Sequence, residues 1–180
     1  MKFTIKNYEE LLVLAKNRFK FINYFSDFNK SESQLILRHD VDFSPYDALK
    51  IAELEAKLNI HSTFFFQVTS IYYSVLEVEI KNIIRLISSL GHEIGLHFDL
   101  SVYNEKSLSG IKNKFDFEKN ILSEISNSQI KIFSLHNPTT IKNIKFDKIK
   151  YFNCFNASSP KILEKFKYCS DSNGYWRFES

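Results

Sequence analysis

Residues 91–99 read Gly91-His92-Glu93-Ile94-Gly95-Leu96-His97-Phe98-Asp99, a short apolar run with a glycine ahead of it and ionisable groups at its exit. The run 93–98 predicts a strand. Gly91 predicts the C-terminal end of the preceding helix, expected over 73–90 with Ile80, Ile83, Ile84, Ile87 and Leu90 turned inward. The same strand and helix signals recur on both sides. Upstream, QLILRH at 34–39 reads as a buried strand and STFFFQV at 62–68 as another. Between them a helix is announced by Ser44 as N-cap, Pro45 at its first position and Asp47 in its first turn. Downstream, a helix near 109–126 is followed by a strand at 131–135, a strand at 149–154, a short helix opened by Ser159-Pro160 and a last strand at 167–170. A helix over 7–18 belongs to the lead-in, residues 1–33.

Strands alternating with helices imply a parallel α/β fold. The strand candidates after residue 33 are too few for a full (β/α)₈ barrel, which takes ~250 residues. A distorted, open or incomplete (β/α) barrel with parallel strands and outer helices is the expectation. With 180 residues the chain reads as a single domain over 1–180. Its 44% hydrophobic content supplies a large core, and a net charge of +3 with only four arginines (Arg18, Arg38, Arg85, Arg177) argues against a nucleic-acid surface. No apolar run is long enough for a membrane span. The N-terminal stretch lacks a signal-peptide layout because Glu9-Glu10 interrupts it, and Cys154 and Cys169 lack CxxC spacing. Two reduced thiols and no leader point to the cytoplasm.

In parallel α/β folds the working groups sit at the C-terminal ends of strands. Three such exits here carry unusual chemistry: Arg38-His39-Asp40-Val41-Asp42, then Gly91 to Asp99, then Ser134-Leu135-His136-Asn137-Pro138. Imidazole nitrogens and carboxylate oxygens together suit Zn²⁺ or another borderline divalent ion. Such an ion lowers the pKa of a bound water, and a nearby carboxylate can take its proton. Arg38 and Asp40 share one side of their strand, whereas His39 faces away.

These stretches resemble the polysaccharide deacetylases of the NodB-homology type, carbohydrate esterase family 4. The resemblance spans residues 34–176. Leu37-Arg38-His39-Asp40-Val41-Asp42 is similar to the family's first motif, in an HDVD form familiar from a branch linked to bacterial surface-polysaccharide biosynthesis. Ser62-Thr63-Phe64-Phe65-Phe66 is similar to an Ala-Thr-Phe-Phe strand. Gly91 to His97 is similar to GHEIG-x-H, and Ser134 to Pro138 stands where the family has Arg-x-Pro. Asp171 and Trp176 resemble a fourth motif rich in Asp and Trp.

The resemblance implies a NodB-type barrel and a metal-dependent deacetylase acting on an N-acetyl or related amide of a sugar, with Zn²⁺ as the ion. It implies Asp40 as catalytic base and Asp42 and His97 as ligands. The family's second metal histidine would fall at position 101, where Ser101 stands, so His136 is the expected replacement and Asp99 the second candidate. Arg38, Asp99, Asn137, Asp171 and Trp176 are the expected substrate contacts. No histidine follows His136 to act as the family's late general acid, and closing barrel strands are expected to be absent. The alternative is a non-catalytic carbohydrate-binding or assembly module on the same fold. The expected partner is a carbohydrate or sugar nucleotide.

Overall fold

A computed structural model describes residues 4–105, 107–137 and 146–170, together with the backbone of 177–178. Helix α1 (Ile5–Lys16) is capped by Thr4, whose hydroxyl accepts the Asn7 N–H. Strands β1 (Lys20–Ile22) and β2 (Gln34–Ile36) then pair with each other in parallel. The main sheet follows: β3 (Arg38–Val41), β4 (Thr63–Phe66), β5 (Glu93–Phe98), β6 (Ile132–Leu135), β7 (Lys150–Tyr151) and β8 (Cys154–Asn156), in the order β3-β4-β5-β6-β8-β7. All neighbours are parallel except β7 on β8. Helices α2 (Pro45–Lys57), α3 (Val78–Ser89) and α4 (Leu108–Ser126) make the crossovers, and a short α5 (Pro160–Leu163) precedes an antiparallel pair, β9 (Cys169–Ser170) with β10 (Arg177–Phe178). The architecture is thus α/β: among the described residues the sheet is parallel-dominated and unclosed, with helices packed on one face, as the incomplete barrel expected from sequence requires. Among the described residues no helix is long and apolar enough to cross a membrane.

The helix starts and stops follow local chemistry. Ser44 Oγ accepts the Asp47 N–H at 3.2 Å, and Pro45 leads α2. Gly91 leaves α3 at φ +92°, a conformation side chains rarely adopt, and a Cβ there would meet His61 Nδ1 at 2.8 Å.

Three expected elements differ. The strand expected over 34–39 is two strands, because 34–36 bond to β1 while Arg38–Val41 bond to β4. The helix expected from 73 begins at Val78. Tyr73 is committed elsewhere, its hydroxyl donating to Val41 O at 2.7 Å and accepting the Gln67 N–H at 3.0 Å. The strand expected over 149–154 is a hairpin, since Phe152 and Asn153 both take left-handed φ (51° and 60°) and reverse the chain. Phe152 accepts that conformation while its ring packs 5.1 Å from Phe115. The lead-in also supplies β1, a strand with no strong pattern of its own.

The two sheet faces differ in kind. Phe64, Phe66, Ile94, Leu96, Phe98, Phe133 and Leu135 meet Ala52, Ile84, Ile87, Ile111, Phe115 and Leu122 of the helices in one buried cluster. Phe65 points the other way, into a small cluster with Ile132 and Ala157. Two acids are buried on the helix side. Glu55 accepts hydrogen bonds from Tyr8 Oη and Ser62 Oγ and pairs with His39 Nε2 at 2.7 Å. Burial pushes its carboxyl up, but these partners outweigh that and hold it below the usual range. Glu118 is poorer in partners. The Tyr103 hydroxyl donates to Oε1 at 2.5 Å, while Oε2 has none among the described residues. Burial, with the charge of Asp99 adding to it, pushes Glu118 up to about 7 against the Tyr103 bond.

That shift sets a pH dependence. From about 4.5 to about 7 the unfolded chain releases this proton while the folded chain keeps it, so stability falls as pH rises through this window. The full cost above it is on the order of 3 kcal/mol. Glu118→Gln keeps the Tyr103 bond and removes the titration. Urea unfolding at pH 5 and pH 8 should show the variant gaining on the parent at the higher pH only.

Candidate metal centre

Side chains along a strand alternate between faces, so the in-register strands fix what lies beside Phe65. Asp40 is opposite Phe65, Phe65 opposite Gly95, and His97 opposite Ser134. The same face therefore carries Arg38 and Asp40 of β3, His97 of β5 and Ser134 of β6, with Asp42, Gln67, Asp99 and His136 just beyond the ends of β3, β4, β5 and β6. The polar members gather at the C-terminal exits, above the Phe65 ring.

Ligand atoms of Asp42, His97 and His136 lie within 4.8 Å of one another. His97 Nε2 is 3.3 Å from Asp42 Oδ1, and His136 Nε2 is 4.0 Å from the same oxygen. Two atoms each ~2.1 Å from one tetrahedral ion stand about 3.4 Å apart, so the spacing fits a shared cation. The donors fit as well: two imidazole nitrogens and one carboxylate oxygen form a set suited to Zn²⁺, Co²⁺ or a similar ion. His97 is buried, with Nδ1 2.7 Å from the buried Ser134 hydroxyl, which fixes its ring. The side chains of Asp40 and Asp42 remain 30% and 35% exposed, so the centre is open to a substrate on their side.

Asp40 stands next to this set, its Oδ2 3.9 Å from His97 Nε2. Arg38 Nη2 donates to the same oxygen at 2.6 Å, and the guanidinium lies over the Phe65 ring at 5.1 Å. Desolvation pushes the Asp40 carboxyl up, but the charge of Arg38, then of His97, outweighs it and holds Asp40 below the usual carboxylate range. Asp40 is thus an ionised proton acceptor with a fixed orientation. Asp99 is mostly buried, and its two oxygens are divided. Oδ2 is 2.9 Å from His136 Nδ1, and Oδ1 accepts both the backbone N–H and the hydroxyl of Ser101, at 2.8 and 2.6 Å.

The structure therefore brings together Asp40, Asp42, His97 and His136. Arg38 lies against Asp40, Asp99 against His136, and the Asn137 amide nitrogen 3.3 Å from His136 Nε2. Asp171 and Trp176 lie outside the described residues. Residues not singled out from sequence also belong here. Gln67 donates to Asp42 Oδ1 at 3.4 Å, and Ser134 and Ser101 hold His97 and Asp99. Counting two positions on from Phe65 would have found Gln67. The serines carry no comparable signal.

No family profile matches the sequence, and no curated protein matches it. Solved structures do match. A CE4 family pseudoenzyme from Bacillus anthracis is similar at 18% identity over 72% of this chain and 39% of its own, with TM-score 0.44. A family 4 carbohydrate esterase from the same organism is similar at 16% identity over 75% and 60%, with TM-score 0.47. A family 4 acetyl xylan esterase from Clostridium thermocellum, solved with a cobalt ion, is similar at 22% identity over 55% and 46%, with TM-score 0.40. The chain spans less than two thirds of the length of each.

Gly95 is the element of this face most sensitive to size. A Cβ there would fall 2.5 Å from Phe65 Cδ1 and 3.3 Å from Ile132 Cγ2. Phe65 is fully buried and cannot retreat. Gly95→Ala should cost about 1–3 kcal/mol through overpacking. A denaturant midpoint equal to the parent's would contradict this close approach.

Proposed function

We propose that the chain is a metal-dependent deacetylase, a divergent relative of carbohydrate esterase family 4, that hydrolyses an N-acetyl or related amide on a sugar or glycan precursor. The observation that supports this is the meeting of Asp42, His97 and His136 ligand atoms within 4.8 Å, with Asp40 alongside. Asp42, His97 and His136 would hold a divalent cation, Zn²⁺ by the ligand chemistry, which would supply Lewis-acid polarisation of the acyl carbonyl and acidify water. Asp40 accepts the proton of the attacking water. Arg38 keeps Asp40 ionised until it does so and orients the receiving oxygen. When the C–N bond breaks, the proton on Asp40 is available to the departing amine, and the acyl group leaves as its acid. Arg38, Asn137, Asp171 and Trp176 are the proposed substrate contacts. The resemblance of residues 37–42 to the HDVD branch supports a precursor of capsule, O-antigen or another surface glycan, handled in the cytoplasm as a sugar nucleotide.

One observation favours a second reading, a carbohydrate-binding module without turnover. Among the described residues the histidines other than His97 and His136 lie elsewhere. His39 and His92 serve the Glu55 cluster, and His61 packs by Gly91 at the far ends of the strands. No separate imidazole stands ready as general acid.

Activity on N-acetylated sugar nucleotides and oligosaccharides, with metal content measured on the same samples, separates the readings. Asp40→Asn should lower turnover about 10²–10⁴-fold and leave bound Zn²⁺ unchanged. His97→Ala should lose the metal and the activity together, and chelation followed by Zn²⁺ should remove and restore both. A wild-type protein that binds sugar and never releases acetate would support the second reading instead.

A further inference from the structure

We infer that Asp99 is a positioning residue for the metal centre, a carboxylate that sets the proton of His136 so that Nε2 is the ligating nitrogen, and that Ser101 holds Asp99 to this task. The inference deepens the metal reading above and rests on it for the identity of the site. Asp99 Oδ2 is 2.9 Å from His136 Nδ1. The carboxylate accepts from both Ser101 donors, and as an acceptor toward His136 it places the imidazole proton on Nδ1 and leaves a lone pair on Nε2. That lone pair is the one that faces Asp42 and joins the ligand set.

The geometry also holds Asp99 from both sides. Oδ1 is bound to Ser101 N and Ser101 Oγ, where it caps the 3₁₀ turn Leu100–Val102, and Oδ2 is bound to His136. Both oxygens of Asp99 are thus engaged, Oδ1 by two bonds and Oδ2 by one. A histidine ligand whose second nitrogen donates to a carboxylate is better oriented and more basic, and loss of such a partner costs 10–100-fold in metal affinity.

The arrangement makes Asp99→Asn a sharp probe. Asparagine caps helical turns as well as aspartate, so the fold around Leu100 is preserved. Its oxygen must then face the Ser101 N–H and hydroxyl, which turns the amide NH₂ toward His136. Two donors cannot face each other. His136 therefore moves its proton to Nε2, where it blocks ligation.

The test uses the full chain, wild type and Asp99→Asn, with Co²⁺ as the probe, followed by its absorption bands and by calorimetry, and with ¹⁵N spectra of the metal-free imidazoles. The expected result is a Kd for Co²⁺ weakened 10–100-fold or more, unchanged thermal stability without metal, and reversal of the His136 tautomer. Ser101→Ala, which keeps the backbone N–H bond, should weaken Co²⁺ less. Wild-type Co²⁺ affinity in Asp99→Asn, or a His136 proton that stays on the same nitrogen, overturns the inference. Should the wild type bind no Co²⁺, the metal reading itself falls, and the imidazole spectra still decide whether Asp99 sets the His136 proton.

Discussion

The centre depends on strand register. Parallel strands joined by helical crossovers all leave the sheet at the same end, and the two-residue alternation then decides which exit residues share a face. His39 and Asp40 are neighbours in sequence with opposite fates. Asp40 stands beside His97, whereas His39 is stacked 4.6 Å from Phe64 and bonded to Glu55 behind the sheet. A slip of one residue in β5 would send His97 into the helix-side core and bring Leu96 to the ligand set.

Strand β3 is an edge of the main sheet and, among the described residues, pairs only with β4. Two side chains take the place of the missing neighbour. His39 ties β3 to Glu55 on α2, and the same carboxylate receives Tyr8 from α1 and Ser62 ahead of β4. Tyr73 ties Val41 O to the loop after β4. These clamps lie immediately before Asp40 and between Asp40 and Asp42. The buried Glu55 hub is therefore more than core filler: it fixes the strand that carries two of the site's carboxylates. Loss of one partner from such a buried polar cluster is felt more than its surface equivalent, because the remaining groups stay buried.

Much of this was legible in the sequence where a local signal and a tertiary one agree. The α2 start needs only Ser44-Pro45 and a following acid, and β5 ends where its apolar run ends. Misreadings arose where a distant partner decides. Nothing in QLILRH marks the break at Leu37, because it comes from β1 and β4 claiming different halves. Nothing in IKYFNC forces a reversal other than Asn153, and the adjoining Phe152 enters left-handed φ only because its ring is wanted in the core. In the site, the carboxylates and histidines announced themselves by chemical type and by position at strand exits. Their supports, Ser134, Ser101 and Gln67, are ordinary polar residues whose roles exist only once strands are adjacent. Asp99 was expected among substrate contacts or as a spare ligand, since a carboxylate near a histidine pair reads the same way whichever oxygen is already taken.

Charge balance ties these pieces together. Around His97 and His136 stand Asp40, Asp42 and Asp99, and the one guanidinium among them, Arg38, is committed to Asp40. Three carboxylates against one guanidinium leave a formal charge of −2 beside two imidazoles. Like charges this close would raise one another's pKa unless each has its own partner. Asp40 has Arg38, and Asp99 has Ser101 and the His136 N–H. Among the described residues Asp42 has only the long 3.4 Å contact from Gln67 and the facing imidazoles. The carboxylate with the weakest protein partner is thus the one placed between both histidine Nε2 atoms. A divalent cation at the proposed site would offset that charge and match the donor set.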